Sequence, residues 1–329
     1  MNFRFSVFFF RTKSFLTTLY FQLIFTNFEH LNFRNMSNFK GTGVALVTPF
    51  NSDKSVDFDA LRKLVQLQLN GGTDFLVVMG TTAESPTLSN EEKQAILEFV
   101  IQENADKLPI VYGVGGNNTI EVAKAIANVP AGVDGILSVS PYYNKPTQEG
   151  IYQHFKAIAE ASKLPIILYN VPGRTGSNML AQTTLRLAEL PNIVAVKEAS
   201  GNMDQIMDII RLAPEGFSVL SGDDAITMPL IACGAVGVIS VVANALPEVF
   251  SSMINASLNG DFSFAKSIHN DLLPITKMFF EEGNPGGVKV ALENRGVMSQ
   301  NLRLPLVPVS ADLGSRINNE MKSLLTFVK

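Results

Sequence analysis

A lysine ends an apolar run in the stretch NIVAVKEASGN, residues 192–202. Burial disfavours the charged ammonium and favours the free amine, which can attack a carbonyl carbon and form a Schiff base. Tyr169 ends a second apolar run, PIILYNVP, and a tyrosine hydroxyl can supply the proton transfers of imine and enamine formation. The position of Lys197 alone also fits a lysine whose charge reaches solvent.

Hydroxyl groups and glycine follow three other apolar runs. Thr81 and Thr82 follow FLVVMG, Tyr142 and Tyr143 follow GILSVSP, and Gly222 follows FSVLS. Threonine and tyrosine hydroxyls can pass protons on, although paired tyrosines also occur as packing or interface residues. None of these ends carries a histidine or a Gly-Lys-Ser/Thr phosphate loop, so the pattern favours lysine-based carbonyl chemistry.

Eight apolar runs must position these side chains. They start at residues 44, 75, 109, 135, 165, 193, 217 and 237. Each is nearly continuous in Val, Ile and Leu, which is typical of parallel strands covered on both faces, and segments with helical spacing lie between them. The pattern predicts an α/β fold, a (β/α)₈ TIM barrel, over an open doubly wound sheet, since no run leads into a GxGxxG turn.

Strand alternation predicts which side chains face the barrel interior. Ile193, Ala195 and Lys197 fall on one face and Val194 on the other, while Tyr169 faces inward by the same count. Lys197 and Tyr169 are therefore expected together at the carboxyl ends of neighbouring strands, where TIM-barrel active sites lie.

Three segments are predicted along the chain. Residues 36–260 form the barrel, and residues 261–329 form C-terminal helices over residues 262–282, 287–295 and 311–328. Residues 1–35 hold 10 of the 23 Phe and a single acid, Glu29. This composition indicates an extension outside the fold, which we interpret as an untranslated leader before a start at Met36, with an organelle-targeting segment as the alternative.

Net charge and cysteine content limit the kinds of binding partner and metal site that this protein can have. The formal net charge is −4, the sequence pI is near 5.5, and no long basic run occurs, which argues against nucleic-acid or membrane binding. One cysteine, Cys233, permits no internal disulfide and shows no metal-ligand spacing with the three histidines. We expect a cytoplasmic protein with small-molecule partners and no metal.

Six motifs together resemble one enzyme family. They are GTTAES (80–85), SPYYNKP (140–146), YNVPGRTG (169–176), VKEASGN (196–202), SGDD (221–224) and GVISV (237–241). In this order they are similar to the 4-hydroxy-tetrahydrodipicolinate (dihydrodipicolinate) synthase family of the N-acetylneuraminate lyase superfamily of class I aldolases. The resemblance runs from about residue 39 to residue 310.

The resemblance implies roles for the catalytic candidates. Lys197 matches the lysine that forms a Schiff base with pyruvate, so no separate cofactor is needed, and Tyr169 matches the proton donor and acceptor beside it. Thr81 and Tyr143 match the rest of the proton relay. In this family the relay tyrosine enters the partner subunit's site, so Tyr143 implies a dimer, within the homotetramer that the family usually forms.

The resemblance also implies the substrate contacts. Thr82, Gly222 and Ile239 match the pyruvate pocket, with Thr82 at its carboxylate. The second substrate is L-aspartate 4-semialdehyde, and Arg174 matches the arginine that binds its carboxylate, for which a planar guanidinium is well suited. The implied reaction is the condensation that opens the diaminopimelate route of lysine biosynthesis.

An allosteric lysine site is a further implication. Seven residues match the usual lining of this site. Two of them, Asn90 and Lys93, stand where lysine-sensitive enterobacterial enzymes commonly have histidines. Because Lys93 is a cation and the effector is cationic, inhibition by lysine is left open. The full set is Ser85, Asn90, Lys93, Gly115, Asn117, Glu121 and Tyr142.

Two other functions compete with this interpretation. N-acetylneuraminate lyases and 2-keto-3-deoxy sugar acid aldolases share the lysine and the tyrosine but generally lack the arginine found here as Arg174. A barrel that binds ligands or serves a structural role without catalysis is the third hypothesis, and an unreactive Lys197 would support it.

Overall fold

The computed structural model describes residues 39–328. Its eight parallel strands pair in sequence order, and β1 pairs with β8 to close the barrel. The predicted (β/α)₈ barrel is confirmed. The strands are β1 Gly41–Ala45, β2 Phe75–Val78, β3 Ile110–Gly113, β4 Gly135–Val139, β5 Ile166–Asn170, β6 Ile193–Glu198, β7 Ser218–Ser221 and β8 Gly237–Ser240.

Helices alternate with the strands and cover the outside of the barrel. Polar caps start several of them: the Asp57 side chain accepts from the Ala60 N–H, and Ser89 and Glu92 form a capping box. The helices are α1 Phe58–Asn70, α2 Asn90–Asn104, α3 Thr119–Ala127, α4 Gln148–Ala161, α5 Pro172–Thr175, α6 Ala181–Ala188, α7 Met203–Leu212, α8 Thr227–Ala232, α9 Pro247–Leu258, α10 Phe262–Glu281, α11 Gly286–Asn294 and α12 Ala311–Leu324.

A bulge in β6 changes the predicted strand parity. Ile166 pairs with Ile193 and the next residue of β5 pairs with Ala195, so β6 holds one extra residue at this point. Val194 and Ala195 both belong to the inner apolar cluster, whereas Ile193 packs in the outer cluster under the helices. The predicted faces of Ile193 and Val194 were therefore wrong, while those of Ala195 and Lys197 hold.

Phe39 closes the amino-terminal end of the barrel. Its side chain is 3% exposed and belongs to the inner cluster, with its ring 5.7 Å from that of Phe75 at the start of β2. A Cβ at Gly135, the first residue of β4, would lie 2.6 Å from the Phe39 ring. This end of the barrel is therefore filled by an aromatic side chain, and the glycine makes room for it.

The C-terminal helices lie within a residue of the predicted bounds at their starts and extend the outer layer. Helix α10 packs on α9, and α10, α11 and α12 pack on one another. The division at residue 260 stays a prediction, as does the interpretation of residues 1–35, which lie outside the described residues. Among residues 39–328, no helix is both long and apolar enough to cross a membrane.

Candidate active site

Lys197 and Tyr169 lie side by side at the carboxyl-terminal mouth of the barrel. They are partners in the register of β5 and β6, and both side chains are buried, with 6% exposed in each. The Lys197 Nζ lies 4.4 Å from the centre of the Tyr169 ring. A buried amine thus sits within reach of a phenol, which is the pair that imine chemistry requires.

Glu198 turns away from this pair. Its buried carboxylate accepts hydrogen bonds from Asn170 Nδ2 at 2.8 Å, Gln205 Nε2 at 3.1 Å and Ser200 Oγ at 2.6 Å. Burial raises the pKa of Glu198, and these donors oppose the rise. The charge next to Lys197 in sequence is therefore held by a separate network on the outer face of the sheet, as alternation predicts.

Gly222 leaves space for the lysine side chain. A Cβ at this position would lie 3.0 Å from Lys197 Cε, 2.8 Å from the Ala199 Cβ and 3.1 Å from the Glu198 carbonyl oxygen. Ile239 is 1% exposed and belongs to the same inner cluster as Tyr169. Both predicted pocket residues thus lie at the mouth, Gly222 as space and Ile239 as an apolar wall.

The turn Thr81–Ala83 carries the two predicted threonines at the end of β2. Thr81 is exposed, whereas Thr82 is 3% exposed and its Oγ1 accepts from Asn284 Nδ2 at 3.0 Å. Because Asn284 supplies the donor, the Thr82 hydroxyl proton remains free to donate to a bound carboxylate. Asn284 lies between α10 and α11, and sequence reasoning missed it.

A cavity of about 710 Å³ opens at the mouth. It brings together eight of the predicted residues, namely Thr81, Ser85, Asn90, Lys93, Gly115, Tyr142, Tyr169 and Arg174. Lys197 is not among the residues that line it and lies against Tyr169, which is. One continuous cavity therefore joins Thr81 and Tyr169, two of the four predicted catalytic residues, to most of the predicted allosteric set, whereas the predicted pyruvate contacts Thr82, Gly222 and Ile239 are not among its lining residues.

Two members of the allosteric set stand outside that cavity. The Glu121 carboxylate pairs with Lys124 Nζ at 3.0 Å on the exposed face of α3. Asn117 is exposed, and its Nδ2 donates to the Tyr142 carbonyl at 3.2 Å. Within one chain, Glu121 is thus occupied by a lysine side chain of its own helix.

Tyr143 is not brought to the site of its own chain. Its side chain is 87% exposed and it does not line the cavity, whereas the adjacent Tyr142 does. The backbone of Tyr143 has φ 71°, a left-handed conformation that is uncommon for a residue with a bulky side chain. Such a conformation needs support from the surrounding loop.

Three buried ionisable groups lie near the mouth, and sequence reasoning gave none of them a place in the site, although Glu84 and Asp224 fall within the GTTAES and SGDD motifs. Lys289 Nζ donates to Glu84 Oε1 at 2.6 Å, and neither side chain is exposed. Asp224 accepts from the Val241 and Val242 N–H groups at 3.0 and 3.3 Å, and burial raises its pKa to about 6. The only sequence signal for Lys289 is a lone cation inside the apolar helix segment GGVKVAL.

Comparison with known proteins decides among barrel families that share a buried lysine. The model of the dihydrodipicolinate synthetase family matches residues 38–324. The chain belongs to this family. The resemblance seen in the six motifs is confirmed, and it extends through the C-terminal helices.

Individual relatives of the family agree over nearly their full length. A 4-hydroxy-tetrahydrodipicolinate synthase of Parabacteroides distasonis is 54% identical, covering 87% of this chain and 97% of the relative. The dihydrodipicolinate synthase structure from Aquifex aeolicus superposes with a TM-score of 0.84 at 43% identity, over 87% and 98% of the chains. The structure from Cyanidioschyzon merolae, solved with lysine bound, gives 0.84 at 39% identity over the same shares.

Proposed function

We propose that this protein is a Schiff-base-forming lyase that condenses pyruvate with L-aspartate 4-semialdehyde to give 4-hydroxy-tetrahydrodipicolinate, the entry to lysine biosynthesis by the diaminopimelate route. The observation that carries the proposal is the buried Lys197 amine, 4.4 Å from the Tyr169 ring centre, at the mouth of a barrel of the dihydrodipicolinate synthetase family. No metal is required, because the amine itself supplies the electrophilic imine.

The reaction begins at the Lys197 amine. Its nitrogen adds to the keto carbon of pyruvate, and loss of water gives the imine; removal of a methyl proton then gives the enamine. The enamine carbon attacks the aldehyde of the second substrate and forms the new carbon–carbon bond. The amino group of that substrate then adds to the imine carbon, which closes the ring and releases Lys197.

Each of these steps moves a proton, and Tyr169 is the group that stands next to the reacting nitrogen. Its phenol donates to the departing hydroxyl and accepts when the enamine forms. Thr81, which lines the cavity, and Tyr143 of the partner subunit complete the relay to solvent. The 87% exposure of Tyr143 supports its insertion into a second copy and hence a dimer, while the homotetramer rests on the family resemblance alone.

The substrates are held by their carboxylates. The free Thr82 hydroxyl proton and the neighbouring backbone N–H groups bind the pyruvate carboxylate, over the space left by Gly222 and against Ile239. Arg174 reaches the same cavity from helix α5 and binds the carboxylate of aspartate semialdehyde. An aldolase for neutral sugar chains would not need this guanidinium, so Arg174 favours the synthase over N-acetylneuraminate lyase.

The part of the cavity that Tyr142 lines is the candidate site for lysine binding, and the cation at Lys93 leaves inhibition by lysine open. Ser85, Asn90, Lys93 and Gly115 line it, and a relative has been solved with lysine bound. Asn117 and Glu121 would join it from the rim, where Glu121 must exchange Lys124 for the ammonium of the effector. We also propose a cytoplasmic location, in keeping with the single cysteine and the absence of a predicted disulfide.

Borohydride trapping tests the proposal directly. Reduction in the presence of pyruvate should fix a covalent adduct on Lys197, detected by peptide mass, and the Lys197→Ala variant should give none. Lys163→Ala, which removes an exposed lysine, is the matched control and should label normally. An unmodified Lys197 in the unaltered protein would refute the function. Efficient cleavage of sialic or keto-deoxy sugar acids without condensation would replace it by the aldolase alternative.

A further inference from the structure

A buried ion pair joins the C-terminal helices to the loop that follows β2. Lys289 lies in α11 and Glu84 directly follows the turn Thr81–Ala83, and the two side chains have no exposed area. Moving two charges out of water costs free energy that their mutual attraction offsets only when the geometry is good. Stability alone therefore gives little reason for a buried ion pair at this position, which points to a second role.

All hydrogen-bonding groups of the pair are satisfied. Lys289 Nζ donates to Glu84 Oε1 at 2.6 Å and to the carbonyl oxygens of Thr48 and Asn301, both at 2.8 Å. The second carboxylate oxygen of Glu84 accepts from the Arg303 N–H at 3.0 Å. Three ammonium protons thus bind three separate segments, which fixes the position of each segment relative to α11.

The ion pair contacts the turn Thr81–Ala83, the predicted site of the pyruvate carboxylate, through Glu84 and through Thr48. Glu84 has φ 56°, a left-handed conformation, and its N–H closes the turn on the Thr81 carbonyl at 3.2 Å. Thr48, whose carbonyl accepts from Lys289, donates its own hydroxyl to the Ala83 carbonyl at 2.7 Å. Glu84 and Thr48 therefore both hold the backbone around Thr82, and both bind the Lys289 ammonium.

We propose that Lys289 and Glu84 are positioning residues for the keto-acid substrate: the pair holds the Thr81–Ala83 turn so that the Thr82 hydroxyl and the neighbouring N–H groups point at the pyruvate carboxylate. The inference rests on the proposed function. It assigns to the C-terminal helices a part in substrate binding, because α11 supplies the ammonium and Asn284, two residues before α11 begins, donates to the Thr82 hydroxyl oxygen.

Two single variants and one double variant test the positioning role. Lys289→Met should raise the KM for pyruvate about tenfold or more, with a much smaller change in kcat and in the KM for aspartate semialdehyde, since only the carboxylate loop loosens. Glu84→Gln keeps the side-chain shape and its hydrogen-bond acceptor, so a smaller rise is expected. The double variant Glu84→Gln/Lys289→Met removes both charges.

Stability and positioning separate in the double variant. Lys289→Met alone leaves the Glu84 carboxylate buried and unpaired, so its Tm should fall, and neutralising Glu84 should restore much of that loss. The pyruvate KM should stay raised in the double variant, because the bonds to Thr48 and Asn301 are still absent. A role confined to stability would instead restore KM together with Tm.

Arg295→Met is the matched control. Arg295 caps α11 and ties it to the barrel through the Ala245 carbonyl at 2.7 Å and Glu248 at 2.9 Å, far from the Thr81–Ala83 turn in its bonding. It should lower Tm without changing the pyruvate KM. A normal pyruvate KM in folded Lys289→Met would overturn the positioning role alone, whereas failure to trap pyruvate in the unaltered protein would overturn it together with the proposed function.

Discussion

Lys197 reaches the barrel mouth past a position without a side chain. The backbone of Gly222 is not in the left-handed region, so its importance lies in the space beside Lys197 Cε, where a methyl group would be only 3.0 Å away. Both the lysine and the turn after β7 are packed against buried groups, so neither can move far. The missing side chain of Gly222 therefore provides the space that the Lys197 side chain occupies.

Gly222→Ala should displace the Lys197 amine from its place beside Tyr169. We expect kcat/KM for pyruvate to fall about 100-fold, as misplacement of a reacting group by about 1 Å does. Steady-state kinetics and the rate of borohydride trapping measure the effect. Gly314→Ala is the control, because that glycine lies inside α12 with only Val309 at 3.9 Å, and it should leave activity unchanged. Equal activity in both variants would contradict the packing argument.

Tyr169→Phe removes the hydroxyl and keeps the aromatic ring, so it separates the contributions of the two. The ring contact with Lys197 survives this change, but the proton donor is lost, so kcat should fall about 100-fold. Trapping of pyruvate on Lys197 should continue, only more slowly. Complete loss of trapping would mean that the ring position, rather than the hydroxyl, had been altered.

At the scale of single elements, one residue in the first turn of helix α2, Glu92, makes two stabilising interactions. Glu92 closes the capping box with Ser89 and also accepts from Arg303 Nη2 at 2.6 Å, a residue of the C-terminal segment. Arg303 holds the pKa of Glu92 down to about 2, with the Ser89 N–H adding to the effect and burial opposing it. The helix start is thereby fastened to the far end of the chain.

The stabilisation from Glu92 should depend on pH in a defined window. Its pKa is depressed in the folded state, so the contribution is complete above the ordinary value of 4.5 and is lost as pH falls towards 2. Glu92→Gln should lower the free energy of unfolding by about 1–2 kcal/mol at pH 7, with the difference closing below pH 4.5. Denaturant unfolding across this range measures it. Glu98→Gln, on the same helix and exposed, is the control for removing a carboxylate that has no bond to Arg303.

Elements were predictable from sequence where their pattern was unambiguous. Continuous Val, Ile and Leu runs located all eight strands, because a parallel strand covered on both faces has no other pattern. The bulge in β6 could not be predicted, since Ile193 and Val194 are both apolar and either fits either cluster. Lys289 was missed because its partner lies 205 residues away, a separation that local patterns do not record.

The site was predictable to a similar limit. Strand ends identified Lys197 and Tyr169 as neighbours, and their register confirms that they pair. The resemblance, rather than any spacing, suggested a role for Arg174 and Tyr143. The support from Asn284 to Thr82 comes from a loop between two C-terminal helices, and no pattern in the sequence links that loop to β2.

At the scale of the whole molecule, we propose that the exposed Tyr143 completes the active site of a second chain. Mixing two inactive variants tests this expectation. A Tyr143→Phe chain keeps Lys197, and a Lys197→Ala chain keeps Tyr143, so a mixed dimer holds one complete site. Random pairing should restore about a quarter of the full activity, since half of the dimers are mixed and one site in two is whole.

The mixing experiment has clear controls. Each variant alone, carried through the same dissociation and reassociation, should stay at its low starting activity. A Tyr143→Phe chain that is fully active alone would refute the shared site. Failure of the mixture to recover, while unaltered chains recover fully after the same treatment, would mean that Tyr143 does not serve the partner.

The aromatic plug at Phe39 has a practical consequence. Phe39 packs on Phe75 at the amino-terminal end of the barrel, whereas the cavity with Tyr169 opens at the opposite end. The polypeptide therefore joins the barrel on the side away from substrate entry. A surface tether, fluorescent fusion or purification tag attached ahead of Phe39 would leave the catalytic mouth facing outward, which makes this end the natural anchor for immobilising the enzyme.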